Sequence, residues 1–180
     1  MKYILVAMLF TILLSSKENS LMNKHVPSFS GITLNNTKID STFFNGKVTL
    51  INFWSLGCRP CMKEIPFLAQ LDSIFPDDSF QVLSIAPHSR ERLASFNSDN
   101  PSQYSRFRKT IGTKIIRYEI LPECEITKTS APDNDQHLTL NYDCEDISEL
   151  FEVEGYPTTF LIDQSGMIRA MRFGYPMEVS

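Results

Sequence analysis

Asn52-Phe-Trp-Ser-Leu-Gly-Cys-Arg-Pro-Cys-Met-Lys-Glu64 is the most informative stretch of this 180-residue sequence. An apolar run rich in β-branched residues, 47–54, leads into it, and residues with helical spacing follow it to about position 75. Cys58 and Cys61 therefore lie where a predicted buried strand turns into a helix. Backbone N–H groups at a helix N-terminus have no intrahelical acceptor, so they stabilise a thiolate. The stretch predicts a nucleophilic sulfur at the start of a helix, with a second thiol one turn further in.

Length and composition indicate one domain with a sizeable core. Hydrophobic residues make up 42% of the sequence, which is too many for a disordered chain. The formal net charge is −4 at neutral pH, and the basic residues form no stripe along the sequence. The sequence therefore argues against nucleic acid as a partner.

The first 20 residues differ from the rest of the chain. Lys2 supplies a positive charge, and residues 3–14 are apolar apart from Thr11. About a dozen apolar residues are short for a membrane span and suit a signal peptide. No clear cleavage site follows, so an uncleaved N-terminal anchor and a buried core helix stay as alternatives. The predicted location of the domain, residues 21–180, is extracytoplasmic: periplasmic, secreted or tethered to the membrane. Four cysteines, an even number, suit that compartment.

The segments after residue 20 alternate between strand and helix patterns. A hairpin is predicted at 31–40 and further strands at 47–54, 80–86, 115–121, 158–163 and 167–173. Helices are predicted from Cys58 to about 75, after an N-cap at Ser89, at 104–111 and at 146–151. No internal repeat and no second domain is found.

Residues 122–145 predict an irregular insertion, because they combine two prolines with a long polar run. They also hold the other two cysteines, Cys124 and Cys144. We expect a structural disulfide between them, which would close a loop of about 20 residues and stabilise the fold by roughly 3 kcal/mol. The alternatives are two independent thiols, or a second pair that exchanges with the Cys58–Cys61 pair.

A Cys-x-x-Cys pair is ambiguous by itself, since it also forms half of many zinc sites. The three histidines, His25, His88 and His137, are scattered and the other cysteines are 20 residues apart, so no metal site is predicted. The strand-to-helix context, and a proline between the cysteines, favour a redox pair instead.

A second feature is Tyr156-Pro157 in front of a β-rich run. Only about 5–6% of X-Pro bonds in folded proteins are cis. From spacing alone, Pro157 is therefore an ordinary strand-opening proline.

Together these segments resemble the thioredoxin superfamily, and most closely its extracytoplasmic thiol–disulfide oxidoreductases of the TlpA/ResA kind, with an AhpC/TSA-redoxin-like domain. The matching stretches are Val26-Pro-Ser-Phe29, Gly46-Lys47, Asn52-Phe-Trp54, Cys58-Arg-Pro-Cys61, Glu64-Ile-Pro66, Gly155-Tyr-Pro-Thr-Thr-Phe-Leu-Ile-Asp163 and Gly166. The resemblance covers most of residues 26–173. It implies an α/β, thioredoxin-like three-layer fold with a central mixed β-sheet flanked by helices, which the 31–40 hairpin extends at its N-terminus. It also implies a kink at Pro66 and a cis peptide at Pro157.

The resemblance also implies a role for each matching site residue. Cys58 would be the exposed nucleophile and Cys61 the buried resolving thiol. Glu64, one turn later, would exchange a proton with Cys61, although it also fits a solvated helix glutamate. Pro157 would shape the substrate groove, and Tyr156 would offer backbone hydrogen bonds to a substrate strand.

Trp54, Arg59 and Pro60 complete the predicted substrate-binding set. Arg59 is expected to favour the thiolate electrostatically, unless solvent screens it. The sequence departs from the family pattern at two positions. Asn52 stands where cytoplasmic thioredoxins carry an acid, and Gly57 stands where many relatives carry Trp.

The predicted activity is the reduction of protein disulfides through the Cys58–Cys61 pair, without a cofactor. The implied partners are a disulfide-bonded protein substrate and a membrane electron donor. One alternative is a peroxiredoxin-like thiol peroxidase, which needs an activating Thr three residues before its cysteine, where this chain has Ser55. The other alternative is a non-enzymatic binding or chaperone module.

Overall fold

The computed structural model describes residues 20–98, 104, 116–129, 139–144 and 146–174. The predicted signal peptide or anchor lies outside the described residues except for Ser20, as does the predicted helix at 104–111 except for Tyr104. The strands are β1 (Gly31–Ile32), β2 (Lys38–Ile39), β3 (Val48–Phe53), β4 (Phe80–Ser89), β5 (Glu119–Thr129), β6 (Thr139–Cys144), β7 (Thr158–Ile162) and β8 (Ile168–Phe173). The helices are α1 (Arg59–Ile74), α2 (Arg90–Phe96) and α3 (Ile147–Leu150), with a 3-10 helix at Ser41–Phe44.

Six strands form one mixed sheet in the order β6-β5-β4-β3-β7-β8. The neighbours of β4, which are β3 and β5, run parallel to it, and the remaining pairs are antiparallel. Strand β3 is central because its nearly continuous apolar sequence suits a strand covered on both faces. The predicted mixed sheet is confirmed.

Two hydrophobic clusters lie on opposite faces of this sheet. One joins the sheet to α1 and α2 and includes Trp54, Ile65 and Phe96. The other joins the sheet to α3 and the N-terminal segment, and contains Phe53 and Phe151. The three-layer arrangement therefore follows from burying both faces of β3.

The local predictions around α1 and the N-terminal hairpin are confirmed. Strands β1 and β2 pair antiparallel as a separate hairpin. Helix α1 begins directly after Cys58 and contains Pro66 in its interior. Helix α2 has Ser89 as its N-cap, whose side chain accepts a hydrogen bond from the Arg92 N–H.

The prediction of an irregular insertion at 122–145 was wrong for most of that stretch. Strand β5 continues to Thr129, and β6 pairs with it antiparallel from Thr139 to Cys144. The sequence here is polar and lacks the apolar alternation by which a half-buried strand is recognised. Backbone pairing with a neighbouring strand stabilises it instead.

In the part of the chain that the structure describes, no helix has both the length and the apolar composition that a membrane span requires.

Candidate active site

Cys58 and Cys61 flank the start of α1 and are joined by a disulfide, with their Cα atoms 5.3 Å apart. Cys58 is the N-cap, and its Sγ accepts a hydrogen bond from the Cys61 N–H at 3.2 Å. Pro60 lies in the first turn, where its missing N–H costs no helical hydrogen bond. Cys58 is partly exposed, whereas Cys61 is 1% exposed. An incoming group can therefore reach the first sulfur but not the second.

The segment around Pro157 lies at the same edge of the sheet as the cysteine pair. The Tyr156–Pro157 peptide is cis, as the family resemblance implied. Thr158, the next residue, pairs with Phe53, the last residue of β3. Because the loop to Cys58 leaves β3 at that point, the cis-proline turn and the cysteine loop are neighbours. Tyr156 is half-buried and packs against the same cluster that contains Cys61.

Glu64 is buried on the sheet-facing side of α1. Its Oε2 accepts a hydrogen bond from Asn52 Nδ2 at 2.9 Å, and its Oε1 accepts one from Thr159 Oγ1 at 3.4 Å. Burial raises the pKa of the Glu64 carboxyl, while the bonds from Asn52 and Thr159 and the charge of Arg172 oppose the rise. The interpretation of Glu64 as a solvated helix glutamate is wrong, since only 7% of the residue is exposed.

The contacts of Asn52 explain why this chain has an amide where cytoplasmic thioredoxins carry an acid. It lies on β3 next to β7, and its amide donates to both Glu64 and Thr159. An amide at this position supplies a hydrogen-bond donor to Glu64, where a second acid would supply a like charge. Thr159 was not anticipated, because its link to Asn52 joins residues 107 positions apart.

The three predicted substrate-binding residues near the pair lie in different environments. Arg59 and Pro60 are exposed at the start of α1. Trp54 is 1% exposed and packs on Phe96, with ring centroids 5.5 Å apart. Its side chain therefore supports the loop from inside the core and offers no surface to a substrate in this structure.

His88 also contacts this loop, and sequence reasoning did not place it at the site. It lies near the end of β4, and its Nε2 is 3.0 Å from the Leu56 backbone N and 3.3 Å from Ser55 Oγ. Burial, together with the charge of Arg92, lowers the pKa of the imidazole to about 4. A lone histidine after a strand carries no local pattern that would have revealed these contacts.

A second buried carboxyl, Glu123, lies on β5. Its Oε1 accepts hydrogen bonds from the Ser148 N–H at 2.6 Å and from Ser148 Oγ at 2.9 Å. Burial is the main cause that raises the pKa of Glu123, and the charge of Asp146 adds to it. Burial also raises the pKa of Tyr156, the residue before Pro157, and the charge of Glu123 adds to that rise.

The other predicted disulfide falls on the β5–β6 hairpin. Cys124 is disulfide-bonded, and its register partner across the hairpin is Cys144. The pairing of Cys124 with Cys144 stays a prediction here, because the structure does not describe the side chain of Cys144.

Among the residues that the structure describes, no three His, Cys, Asp or Glu side chains group closely enough to share a metal ion. Disulfide exchange is chemistry that the two sulfurs perform by themselves.

Known proteins resemble this chain at the level of both sequence and fold. The model of the AhpC/TSA family matches residues 22–171. The thiol-disulfide oxidoreductase ResA of Bacillus cereus is 30% identical over 71 residues, which are 39% of this chain and 41% of that protein. The thioredoxin-like protein YneN of Bacillus subtilis is 26% identical over 151 residues, which are 84% of this chain and 71% of that protein.

A solved structure extends the likeness to the fold. The thiol:disulfide interchange protein of the thioredoxin family from Chlorobium tepidum TLS superposes with a TM-score of 0.53 at 25% identity. The superposition covers 84% of this chain and 86% of that one. The thioredoxin-like architecture expected from the sequence is therefore confirmed.

Proposed function

The chain belongs to the AhpC/TSA family, and we propose that it is a thiol–disulfide oxidoreductase that reduces disulfide bonds in proteins. One observation carries the proposal: a partly exposed cysteine at a helix N-cap is joined to a buried cysteine one turn later. A disulfide that merely stabilises the fold needs neither the exposure nor the helix terminus. The name of the relative ResA, a thiol-disulfide oxidoreductase, supports the same class of reaction.

The proposed reaction is a two-step exchange. The Cys58 thiolate attacks one sulfur of the target disulfide, forms a mixed disulfide and displaces the first target thiolate. The Cys61 thiolate then attacks Cys58 Sγ, forms the intramolecular disulfide and displaces the second target thiolate. The target gains two electrons and the Cys58–Cys61 pair loses two. The backbone N–H that points at Cys58 Sγ, together with the α1 dipole, favours the thiolate in the first step.

Glu64 is proposed to move the proton that the second step requires. Cys61 is buried and must lose its proton before it can attack. A carboxyl one turn later on the same helix, with a raised pKa, is suited to accept that proton near neutral pH. Its connection to solvent would pass Thr159 of β7, which is partly exposed.

The remaining predicted residues are proposed to bind the target chain. In this proposal Tyr156 and the cis Pro157 would form one wall beside Cys58, and the exposed Arg59 and Pro60 would form the other. Trp54 is proposed to act indirectly, through the packing of the loop.

Insulin reduction with dithiothreitol tests the proposal. We expect the wild-type chain to accelerate the precipitation of insulin B chain and Cys58→Ser to abolish the acceleration. Cys61→Ser should accumulate a mixed disulfide that mass spectrometry identifies, which would also name the substrate in an extract. Full activity of Cys58→Ser would overturn the proposal.

Hydrogen peroxide consumption distinguishes the thiol peroxidase alternative. Ser55 stands where a peroxidase would have its activating Thr. Its Oγ lies 3.3 Å from His88 Nε2, so the hydroxyl is not free beside Cys58. We therefore expect peroxide turnover to be far slower than insulin reduction. The opposite order of rates would favour the peroxidase, and inactivity in both assays would favour the binding or chaperone module.

The compartment and the electron donor are also proposed. The apolar N-terminal segment supports an extracytoplasmic location, in which the oxidised pair would need re-reduction by a membrane electron donor. Fusing residues 1–20 to a reporter that is active only outside the cytoplasm tests the location. An inactive reporter would contradict it.

A further inference from the structure

His88 lies outside the cysteine helix and directly contacts the loop leading to Cys58. Strand β4 shifts register between Ala86 and Ser89, and His88 lies within that irregularity. Its side chain reaches across to Ser55 and Leu56, in the loop that connects β3 to α1. It is not a member of the Cys-x-x-Cys motif, and the exchange reaction does not require an imidazole.

The hydrogen bond from Leu56 assigns the protonation state of His88. The Leu56 N–H donates to Nε2 at 3.0 Å, so Nε2 carries a lone pair and the single ring proton lies on Nδ1. Burial and the charge of Arg92 both disfavour a second proton. His88 therefore faces the loop as a neutral acceptor, unlike an imidazolium that would stabilise a thiolate by its charge.

The loop that His88 contacts also positions Cys58. Ser55 O accepts a hydrogen bond from the Cys58 N–H at 3.0 Å, and the Leu56 side chain is buried in the core. Gly57 is exposed, and a Cβ built on it would meet no atom within 4 Å, so open space lies where its side chain would be. The geometry of the loop thus depends on a few contacts. The hydrogen bond to His88 fixes one of its three successive peptide units.

We propose that His88 is a positioning residue that holds residues 55–57 in the conformation that places Cys58 at the N-cap of α1. The inference rests on the proposed function, because it concerns the reactivity of the same cysteine pair. Without an acceptor on residue 88, the Leu56 N–H must turn toward water, and the loop and Cys58 move with it. The thiolate then loses part of its stabilisation by α1, so the pKa of Cys58 rises and the pair becomes more reducing.

Two substitutions separate the acceptor from the bulk of the ring. His88→Gln keeps an acceptor oxygen near the place of Nε2, and His88→Phe keeps a ring of similar size without an acceptor. We expect His88→Phe to shift the equilibrium constant with glutathione threefold to tenfold toward the disulfide, or about 15–30 mV. The pKa of Cys58, measured from the pH dependence of alkylation, should rise with it. We expect His88→Gln to stay near the wild type in both measurements.

The outcomes are decisive in either direction. An unchanged potential and Cys58 pKa in His88→Phe, or equal shifts in both variants, would overturn the proposal. If His88→Phe fails to fold, the tautomer in the wild-type protein decides. Nitrogen-15 NMR should show a neutral ring protonated on Nδ1 at pH 7, and a proton on Nε2 would overturn the proposal. The redox potential and the pKa of Cys58 are properties of the cysteine pair itself. Both measurements therefore remain valid if the protein fails to reduce insulin.

Discussion

At the residue scale, Glu64 shows how this fold changes the pKa of a buried carboxyl. The side chain is almost fully removed from water, yet each of its oxygens has a hydrogen-bond donor, from Asn52 or from Thr159. Burial favours the neutral acid and the donors favour the anion, so the two effects oppose each other. Because burial prevails, the pKa of Glu64 lies above its ordinary value.

We expect Glu64→Gln to slow insulin reduction by roughly a hundredfold, which is the lower end of what a positioned acid or base contributes. The amide retains the shape of the side chain and its place beside Asn52, but it cannot accept the proton of Cys61. The rate of mixed-disulfide resolution, measured by rapid quenching, should fall while the first attack by Cys58 is unchanged. Glu91→Gln, which removes an exposed carboxyl on α2, is the control and should leave both steps intact.

The same substitution changes how stability depends on pH. A raised folded-state pKa means that the native protein holds the Glu64 proton at pH values where the unfolded chain has released it. The stabilisation that this bound proton gives the folded state is complete below the unfolded pKa of about 4.5. It is lost as the pH rises through the folded-state pKa. Glu64→Gln should therefore become more stable relative to wild type between pH 4 and pH 8, measured by urea unfolding. Parallel stability curves would contradict the burial of a titrating carboxyl.

At the scale of secondary-structure elements, the β5–β6 hairpin is where the structure differs most from the prediction made from the sequence. Strand β5 pairs with β4 from Glu119 as far as Cys124, and beyond that residue it pairs with β6 alone. Cys124 therefore lies where the hairpin leaves the sheet, with Cys144 directly opposite. Directly opposed residues of antiparallel strands have Cα atoms about 4.5–5.5 Å apart, within the range that a disulfide bridges.

We predict that Cys124 and Cys144 are bonded to each other and that the bond stabilises the fold. Closing about 20 residues of chain should contribute roughly 3 kcal/mol to the free energy of unfolding. Cys124→Ala, Cys144→Ala and the double variant should all lose the same amount, because each removes the same bond. Non-reducing peptide mapping should recover the two cysteines in one linked pair. Additive losses, or a linkage from either cysteine to Cys58 or Cys61, would refute the pairing.

For the molecule as a whole, an aromatic cluster joins the N-terminal segment to the far face of the sheet. Phe151, just after α3, is fully buried and contacts Phe29, Phe53 and Phe160 at ring-centroid distances of 5.7, 5.1 and 5.2 Å. Backbone hydrogen bonds from Asn23 to Ile168 and from Val26 to Gly166 attach the same segment to the start of β8 and to the β7–β8 turn. Residues well before the first strand therefore help to cover the core.

We expect Phe151→Ala to lower the free energy of unfolding by about 3–5 kcal/mol, since it leaves a cavity that three neighbouring rings cannot fill. Phe173→Ala is the matched control, because Phe173 is 65% exposed on β8 and its truncation should cost less than about 0.5 kcal/mol. Urea unfolding of both variants measures the difference. Equal losses would show that the cluster does not support the fold as described.

The sequence by itself determined the features that neighbouring residues specify. Strand β3 was predicted from a continuous apolar run at 47–54, and α1 from the helical spacing after it. The Cys-x-x-Cys pair between them predicted one sulfur at the start of the helix and the other one turn further in. The N-cap Ser89 was predicted in the same way, because capping follows from residues within one turn. The family resemblance added the cis bond at Pro157, for which spacing alone favoured an ordinary proline.

Only the tertiary structure decided which side chains meet around the pair. Sheet register brings Thr159 to Asn52 across 107 positions, and the end of β4 brings His88 to Leu56 across 32. Burial of Trp54 likewise depends on α2, which supplies Phe96. Local propensity and periodicity are properties of adjacent residues, whereas these contacts arise when separate segments bury their apolar faces together. The two sulfurs and Glu64 could therefore be identified from the sequence, but the contacts that Asn52, Thr159 and His88 make around them could not.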